Sequence, residues 1–298
     1  MDTTASLISR NLKLFFRDRA SVFFSLLSVI IIIALYGGFL GNWQVKSLEE
    51  SAGMKVPGAA WLINAWILAG ILAVSTVTVS LGAYGTMVED VCRGQIKDFF
   101  VSPIKRSQLV AGYMVSSALV SVIMNLIAFV ISEGYIVLNG GRLLAPLQML
   151  ETLGILLLCI FSFSSLVCFV ASYVKSQRAF GTLSTIVGTM IGFVTGIYIP
   201  VGILPDAIVT VMKLIPFSYG AVWLRQIFTA APMEQVFGSV PPSLGDLGKR
   251  YADMYGINLY FGGTPVEPWM MALIIAGTGV IFFALSVWRL SGRAWIKK

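Results

Sequence analysis

The side chains that most often carry enzyme chemistry are scarce in this sequence. Its 298 residues include no histidine, which removes the commonest general base and the base of Ser-His-Asp and Cys-His catalytic groups. Cys92, Cys159 and Cys168 do not have the spacing of a zinc site. The single Gly-Lys pair, at 248–249, does not belong to a G-x-x-x-x-G-K-[ST] phosphate-binding loop. We therefore expect no catalytic centre, metal or cofactor in this chain.

Two glutamates, Glu133 and Glu151, each stand two residues beyond a long apolar stretch. A carboxylate inside a membrane can relay protons or bind a cation. At the edge of an apolar stretch it can instead be an interfacial side chain, with Arg142 as its ion-pair partner. We favour the interfacial role and keep the relay as the alternative.

The composition places the chain in a membrane. Hydrophobic residues make up 57% and charged residues 12% of the sequence, whereas soluble domains contain about 25% charged residues. Six charge-free stretches reach the length of about 20 residues that crosses the hydrocarbon core. They are residues 22–40, 61–84, 109–131, 153–174, 179–199 and 269–288. We predict one all-α polytopic membrane domain over 1–298 with six transmembrane helices, the first of which is too long for a signal peptide.

The positive charges indicate the orientation. Six spans put both termini on one side, and that side carries 14 of the 21 Lys and Arg residues. By the positive-inside rule this side is cytoplasmic. With the acidic residues included, the charge is +9 on the inner face and −2 on the outer face. The excess charge therefore reports topology in the plasma membrane, which in bacteria is the cytoplasmic membrane, and we expect no nucleic-acid partner.

Two cytoplasmic segments have patterns that a simple connection does not need. In residues 1–21 the apolar side chains share one helical face, and Arg10 is expected to project elsewhere, which predicts an amphipathic interfacial helix. A frayed basic tail is the alternative.

The loop 85–108 combines charges with aromatic residues and a short helix that Ser102-Pro103 ends. Such a helix can dock another protein or rest on lipid headgroups.

Two motifs carry a family resemblance. The first is Glu89-x-x-x-Arg93-Gly94 followed by Ser102-Pro103-Ile104-x-Arg106, which resembles the cytoplasmic loop of ABC type-2 (ABC-2) exporter permeases. The second, in residues 198–205, 215–219 and 224–225, is similar to the segment that follows the fifth span in that family. The number and order of the spans extend the resemblance over the whole chain.

The resemblance implies a half-transporter. Two such chains, as a homodimer or a heterodimer, form the pathway, and two cytoplasmic ATP-binding-cassette ATPase subunits, which hold ATP and Mg, dock on a coupling helix between spans 2 and 3. This chain is then a transport subunit and not an enzyme. The residues implied in coupling to the ATPase are Glu89, Arg93, Gly94, Asp98, Phe99, Phe100 and Pro103.

Small and hydroxylated residues in the spans suggest two further surfaces. Glycines in spans one and five permit close helix packing, and the resemblance implies that these spans meet the partner protomer. The resulting dimer seam contains Gly37, Gly38, Gly188, Gly192 and Gly196, with packing inside one protomer as the alternative. Candidates for lining a pathway are Asn64, Ser75, Thr78, Thr185 and Thr189. Such hydroxyls can also satisfy carbonyls of their own helices.

The predicted extracellular segment, 200–268, begins with a stretch that is too short to cross a membrane. Residues 207–215 are apolar but lie between Pro205 and Pro216, and together with 217–228 they predict a re-entrant helical hairpin between spans 5 and 6. A short helix is predicted from Ser243 to its stop at Gly256. Residues 231–268 are an extracellular cap, a partner site or an ordinary loop.

The expected function is ATP-driven export of a hydrophobic or amphiphilic molecule, such as a drug, an antibiotic or a lipid-like compound. Polysaccharide export by the same fold is an alternative. A transporter or channel driven by an ion gradient would need ionisable residues at mid-membrane, and the six stretches contain none. An intramembrane enzyme lacks the necessary side chains. A membrane scaffold without transport stays open.

Overall fold

Long apolar helices make up most of the fold. The computed structural model describes residues 3–96, 99, 104–238 and 246–291. Its helices are α1 (Thr3–Arg17), α2 (Arg19–Leu35), α3 (Gly41–Ala52), α4 (Ala59–Cys92), α5 (Arg106–Leu138), α6 (Pro146–Ala171), α7 (Gln177–Val194), α8 (Asp206–Leu214), α9 (Phe217–Phe237), α10 (Leu247–Met254) and α11 (Pro268–Ser291). A π-helical turn (Tyr36–Leu40) joins α2 to α3, and a two-stranded hairpin, β1 (Tyr260–Phe261) and β2 (Thr264–Pro265), precedes α11. The predicted all-α polytopic class is confirmed.

Helix α4 forms the centre of the bundle. Of its apolar stretch, 89% is buried inside the protein, and α2, α3, α5, α6, α7 and α9 pack around it. Ala65 and Ala69 are fully buried and, being small, let neighbouring helices approach closely. On the α5 side, the Ser80 and Ser121 hydroxyls form a hydrogen bond of 2.9 Å. Because such bonds between membrane helices contribute only about 0.6 kcal/mol each, close packing dominates the stability of this centre.

Five helical stretches are long and apolar enough to cross a membrane within the described residues. They are Arg19–Glu50, Ala59–Cys92, Ser107–Leu138, Pro146–Ala171 and Pro268–Leu290. These stretches contain most of predicted spans one to four and six. The pair α8 and α9, bent by 96°, raises the number to six if it counts as one broken span. The first stretch runs past the predicted limit at residue 40, because the π-helical turn carries the helix on into α3.

The predicted fifth span differs most from the structure. Its helix, α7, ends at Val194, five residues before the predicted limit. Gly196 adopts φ +66, and the Ile197 amide donates to the Gly192 carbonyl at 3.0 Å, a Schellman ending that reverses the chain. The helix also begins with Gln177 and Arg178, and it does not reach the apolar length of the other spans. A count of uncharged residues detects neither the glycine turn nor this weak hydropathy.

The predicted hairpin after the fifth span is present as two helices. Pro216 separates α8 from α9 and holds Ile215 in an extended conformation at φ −99, ψ 121, which produces the bend. The Ser218 hydroxyl donates to the Met212 carbonyl at 2.8 Å and to the Val194 carbonyl at 3.0 Å, so the bend is tied to the end of α7. Entry of this hairpin into the membrane remains a prediction.

The short outer helix ends where the sequence predicts. Helix α10 stops before Gly256, which has φ +63. Its predicted N-cap, Ser243, lies outside the described residues.

Helix α11 packs on α6 through one glycine. A Cβ on Gly279 would lie 2.7 Å from Cε1 of Phe161 and 3.0 Å from the Cα of Ser162. A methyl group there would separate the two helices, and overpacking of this kind costs about 1–3 kcal/mol. Gly277, on the same helix, has no heavy atom within 4 Å of its Cβ position.

We predict that Gly279→Ala lowers the thermal unfolding temperature of the purified protein, whereas Gly277→Ala leaves it unchanged or raises it slightly through helix propensity. Thermal unfolding of both variants in the same detergent measures the difference. Equal melting temperatures for the two variants would contradict the α6–α11 packing.

Candidate functional site

Helix α1 packs onto the bundle at the predicted inner face. Leu7 and Phe15 are buried, with 5% and 4% of their surfaces exposed. Leu7 lies against Gly112 of α5, and Phe15 packs with Val79 and Val120. The structure thus favours the predicted amphipathic helix over a frayed tail, and it places much of the apolar face of that helix on protein.

Arg10 fixes α1 to the inner end of α4. Its two terminal nitrogens, Nη1 and Nη2, donate to the Asp90 carboxylate at 2.8 and 2.9 Å, and the hydroxyl of Tyr113 on α5 donates to the same carboxylate. Asp90 is buried, with 3% of its surface exposed. The hydrogen bond to Asp90 raises the pKa of the Arg10 guanidinium, although partial burial opposes this shift. Helical periodicity placed Arg10 off the apolar face of α1, and it could not reveal that the partner of Arg10 is a carboxylate supplied by another helix.

The coupling loop begins directly after this anchor. Gly94, at φ +75, ends α4, and the exposed Arg93 pairs with Glu89 one turn before it. Two further contacts return to α1: Gln95 Oε1 accepts from Arg10 Nη2 at 3.3 Å, and the guanidinium lies 5.5 Å from the ring centroid of Phe99. Of the other residues predicted to act in coupling, Asp98, Phe100 and Pro103 lie outside the described residues.

A groove runs from this anchor along α4. Its inner part, about 550 Å³, is lined by Arg10, Glu89, Asp90 and Arg93 among others. Its outer part, about 370 Å³, lies between α2, α4 and α7. Both parts share the lining residues Phe15, Ser21 and Gly82, so they form one continuous groove.

The predicted pathway residues divide between several surroundings. Thr78 lines the outer part of the groove, and Asn64 lines a separate cavity of about 80 Å³ near the π-helical turn. Ser75 is buried and donates to Asn125 on α5. Thr185 and Thr189 are on an exposed face of α7 and donate to carbonyls of their own helix. The structure therefore brings Thr78 alone of the five to the groove.

The predicted seam glycines also divide. A Cβ atom on Gly37 or on Gly196 would lie 2.7 Å from Tyr135 or Val201 of the same chain, and one on Gly192 would contact Tyr198. This is packing inside one protomer, the alternative left open by the sequence. Gly38 and Gly188 have no heavy atom within 4 Å of their Cβ positions, and Gly188 lines the groove. These two positions leave room for a neighbouring helix.

Sequence reasoning gave no role to Arg225, which is 0% exposed. It projects from α9 to α4, where its guanidinium carbon lies 4.7 Å from the Trp66 ring centroid. The indole Nε1 of Trp66 in turn donates to the Tyr255 carbonyl at 2.6 Å. A signal was available in the sequence, because Arg225 is the single charged residue in the stretch 214–233. A lone charge in an apolar stretch is a candidate functional residue.

Glu133 and Glu151 occupy different environments. Glu133 is buried, and its Oε2 accepts from the Leu144 amide at 3.1 Å in the α5–α6 connection. Its Oε1 has no hydrogen-bond partner in the described part of the chain. Glu151 is exposed on α6. Among the described residues, the ion pairs found do not include one between Arg142 and either glutamate.

These features define a polytopic helical membrane protein with an anchored inner loop and a groove along its central helix. Within the described residues, no group of three or more His, Cys, Asp or Glu side chains can hold a metal ion. The chain belongs to the ABC-2 type transporter family, whose model matches residues 3–229. It is therefore the permease of an ABC-type transporter, which associates with an ABC ATPase. No curated protein matches the sequence significantly.

We predict that Asp90→Asn destabilises the protein by about 2 kcal/mol, because a hydrogen bond to a charged group contributes about 1.5–3 kcal/mol. Glu89→Gln, one residue away, removes an exposed pair of the kind that contributes about 0.2–1 kcal/mol. Denaturant unfolding of both variants measures the two changes. A smaller effect for Asp90→Asn than for Glu89→Gln would refute the anchoring role of Asp90.

We predict that Glu133→Gln transports as well as the unmodified protein at every pH, since the amide oxygen still accepts from the Leu144 amide. Glu133→Ala loses that acceptor and is expected to unfold about 1–3 kcal/mol more easily. Transport by Glu133→Gln vesicles, measured across a pH series, is the decisive assay. Loss of transport with preserved folding would restore the proton-relay role.

Proposed function

We propose that this permease is the membrane subunit of an ATP-driven exporter in the plasma membrane, with both termini in the cytoplasm. Two copies of the chain form the pathway, and two partner ATPases bind and hydrolyse ATP with Mg. The chain itself is then not an enzyme. The observation that carries the proposal is the inner loop: it begins at the buried Arg10–Asp90 anchor and directly joins the central helix.

The proposed route of coupling follows the helix contacts. An ATPase docked at Arg93, Gly94 and Phe99 pushes on the end of α4, since Arg93 and Gly94 directly follow that helix. The cation–π contact between Arg10 and Phe99 passes the same displacement to α1. Because α4 packs against seven of the other described helices, its movement reaches the whole bundle, which is the mechanical requirement for alternating access.

The proposed pathway is the groove between α2, α4 and α7, closed by a second copy of the chain. The stretch Arg19–Glu50 has only 6% of its apolar part buried against the rest of its own chain. On α7, Ile186 and Met190 are 56% and 54% exposed. These free apolar faces flank the groove, and Gly188 between them has open space. A homodimer covers both faces with the same surfaces from the partner.

The proposed substrate is hydrophobic or amphiphilic, because the groove between α2, α4 and α7 is lined by Ile32, Val74, Leu81 and hydroxyl groups. Polysaccharide export by the same fold is the alternative substrate class. An ion-gradient mechanism has less support, since none of the described residues that line the outer part of the groove carries a charge.

Co-purification after mild detergent extraction tests the proposed function. We expect an ATPase subunit to be recovered in a one-to-one ratio with the permease. Reconstituted vesicles containing the pair should accumulate a fluorescent amphiphile when ATP is added on the cytoplasmic side, and should not do so with a proton or sodium gradient alone. Transport that needs a gradient and no ATPase would overturn the proposal.

We predict that Phe99→Asp leaves the permease in the membrane and abolishes substrate-stimulated ATP turnover by the recovered complex. A carboxylate at this position disrupts an apolar docking surface beside Arg10. Lys175→Glu, on the exposed connection between α6 and α7, adds a carboxylate to the same face and serves as the matched control. The docking assignment would be refuted if Phe99→Asp retained substrate-stimulated ATP turnover, or if Lys175→Glu lost it to the same extent.

A further inference from the structure

The guanidinium of Arg225 is enclosed by aromatic rings and glycines. It stacks on Trp66, and the Cβ positions of Gly70, Gly196 and Gly256 lie 3.2, 3.6 and 3.5 Å from its terminal nitrogens. Trp66 is seven residues from the start of α4, so the charge is about 10 Å inside the outer end of that helix. The six predicted spans contain no charge, and Arg225, which comes from the segment after the fifth span, adds one at this level of the bundle.

One edge of this guanidinium has no partner. Nε and Nη2 together form the edge that binds carboxylates and phosphates in a fork, and both are buried and make no hydrogen bond with the residues that the structure describes. The side chains that interact electrostatically with Arg225 are Tyr36 and Tyr251, both neutral, and no carboxylate is among them. An uncompensated buried charge is costly. The cation–π contact with Trp66 offsets part of that cost and leaves the fork unused.

The unused edge lies near a side chain that lines the outer end of the groove. Nη2 is the Arg225 atom nearest to the Cβ position of Gly70, and the Ile197 side chain lies equally close to that position, at 3.2 Å. Ile197 is also a lining residue of the groove, together with Val74, one turn from Gly70 on α4. The side chain of Ile197 thus separates the fork of Arg225 from the groove. Its carbonyl accepts from the Tyr36 hydroxyl at 3.3 Å, which holds this cover in place.

We propose that Arg225 recognises the anionic head group of the exported amphiphile, a phosphate, sulfate or carboxylate, when Ile197 moves away from the end of the groove. The proposal rests on the proposed export function and specifies its substrate class. Gly70 is the second element of the site, because a side chain there would lie 3.2 Å from Nη2 and would occupy the position that an oxygen of the head group takes once Ile197 has moved. The head group binds through Nε and Nη2, and the alkyl part lies along the apolar groove.

Photolabelling tests the site without requiring transport. The permease, together with its co-purified ATPase, is placed in phosphatidylcholine nanodiscs and labelled with two diazirine probes of equal chain length, an alkyl phosphate and an alkyl trimethylammonium. We expect saturable labelling by the phosphate probe in peptides around Ile197 and Arg225, at least tenfold above the trimethylammonium probe. Equal labelling by the two probes in the unmodified protein would overturn the proposal, whatever the variants do.

Variants separate recognition from a structural role. Arg225→Gln and Gly70→Ala should both lose the preference for phosphate, the first by removing the charge and the second by filling the space beside it while keeping the charge. Ile197→Ala should increase labelling because it removes the cover. Arg289→Gln, which also removes a guanidinium that lies over an aromatic ring, is the matched control and should keep the preference. If Gly70→Ala has the native melting temperature and still prefers the phosphate probe, the position assigned to the head group beside Gly70 would be refuted.

Competition identifies the source of the anion. Displacement of the probe by a single-chain alkyl phosphate, but not by phosphatidylglycerol, supports a transported amphiphile. Displacement by phosphatidylglycerol would show that the site binds a resident membrane lipid and would overturn the substrate assignment. The anion site and the export proposal can fail separately. Labelling at Arg225 without ATP-driven transport would refute the exporter and support the anion site. ATP-driven transport without this labelling would support the exporter and refute the anion site.

Discussion

The structure depends on the burial of one helix. Helix α4 has 89% of its apolar stretch covered by protein, so each neighbouring helix is placed by how it fits against that surface. In hydrocarbon there is little hydrophobic gain from bringing helices together, and close packing of small residues takes its place. Ala65, Ala69 and Gly70 supply the small positions on α4. A larger side chain at one of these positions would displace a whole neighbouring helix rather than a single side chain.

The two ends of α4 are built alike although their chemistry differs. At the inner end, Arg10 lies near the ring of Phe99, and Asp90 neutralises it. At the outer end, Arg225 lies over the ring of Trp66 and has no carboxylate partner among the described residues. The inner arginine therefore has its charged partner within the chain, which suits a permanent anchor. The outer one has an unused hydrogen-bonding edge, which suits a transient partner. A rigid helix that joins both is a direct physical link between the coupling loop and the outer closure.

The sequence predicts the helices better than it predicts the site. The length of the charge-free stretches located the apolar helices, because burying a charge in hydrocarbon is costly at any position along the chain. The end of α7 was missed, since it depends on the left-handed conformation of Gly196 and not on charge. The Arg10–Asp90 anchor joins residues 80 positions apart, and no local pattern encodes such a pair. The burial of Arg225 had a weak local signal, but the stacking on Trp66 required the packing of α9 on α4.

The arrangement of charges along the groove has a consequence for what can move through it. At the inner mouth, Arg10 and Arg93 are each paired with a carboxylate of α4, so an entering anion meets little net attraction there. The inner part of the groove also contains the carboxylate of Asp18, which accepts from the Ser21 hydroxyl at 2.6 Å. The described residues that line the outer part are uncharged, and the hydroxyl of Thr78 donates to the Val74 carbonyl of its own helix. With Arg225 as the recognition residue, the first unneutralised cation that a head group meets lies at the outer end. Binding there therefore favours the later, outward-facing part of the cycle, since affinity for one state shifts the equilibrium toward that state.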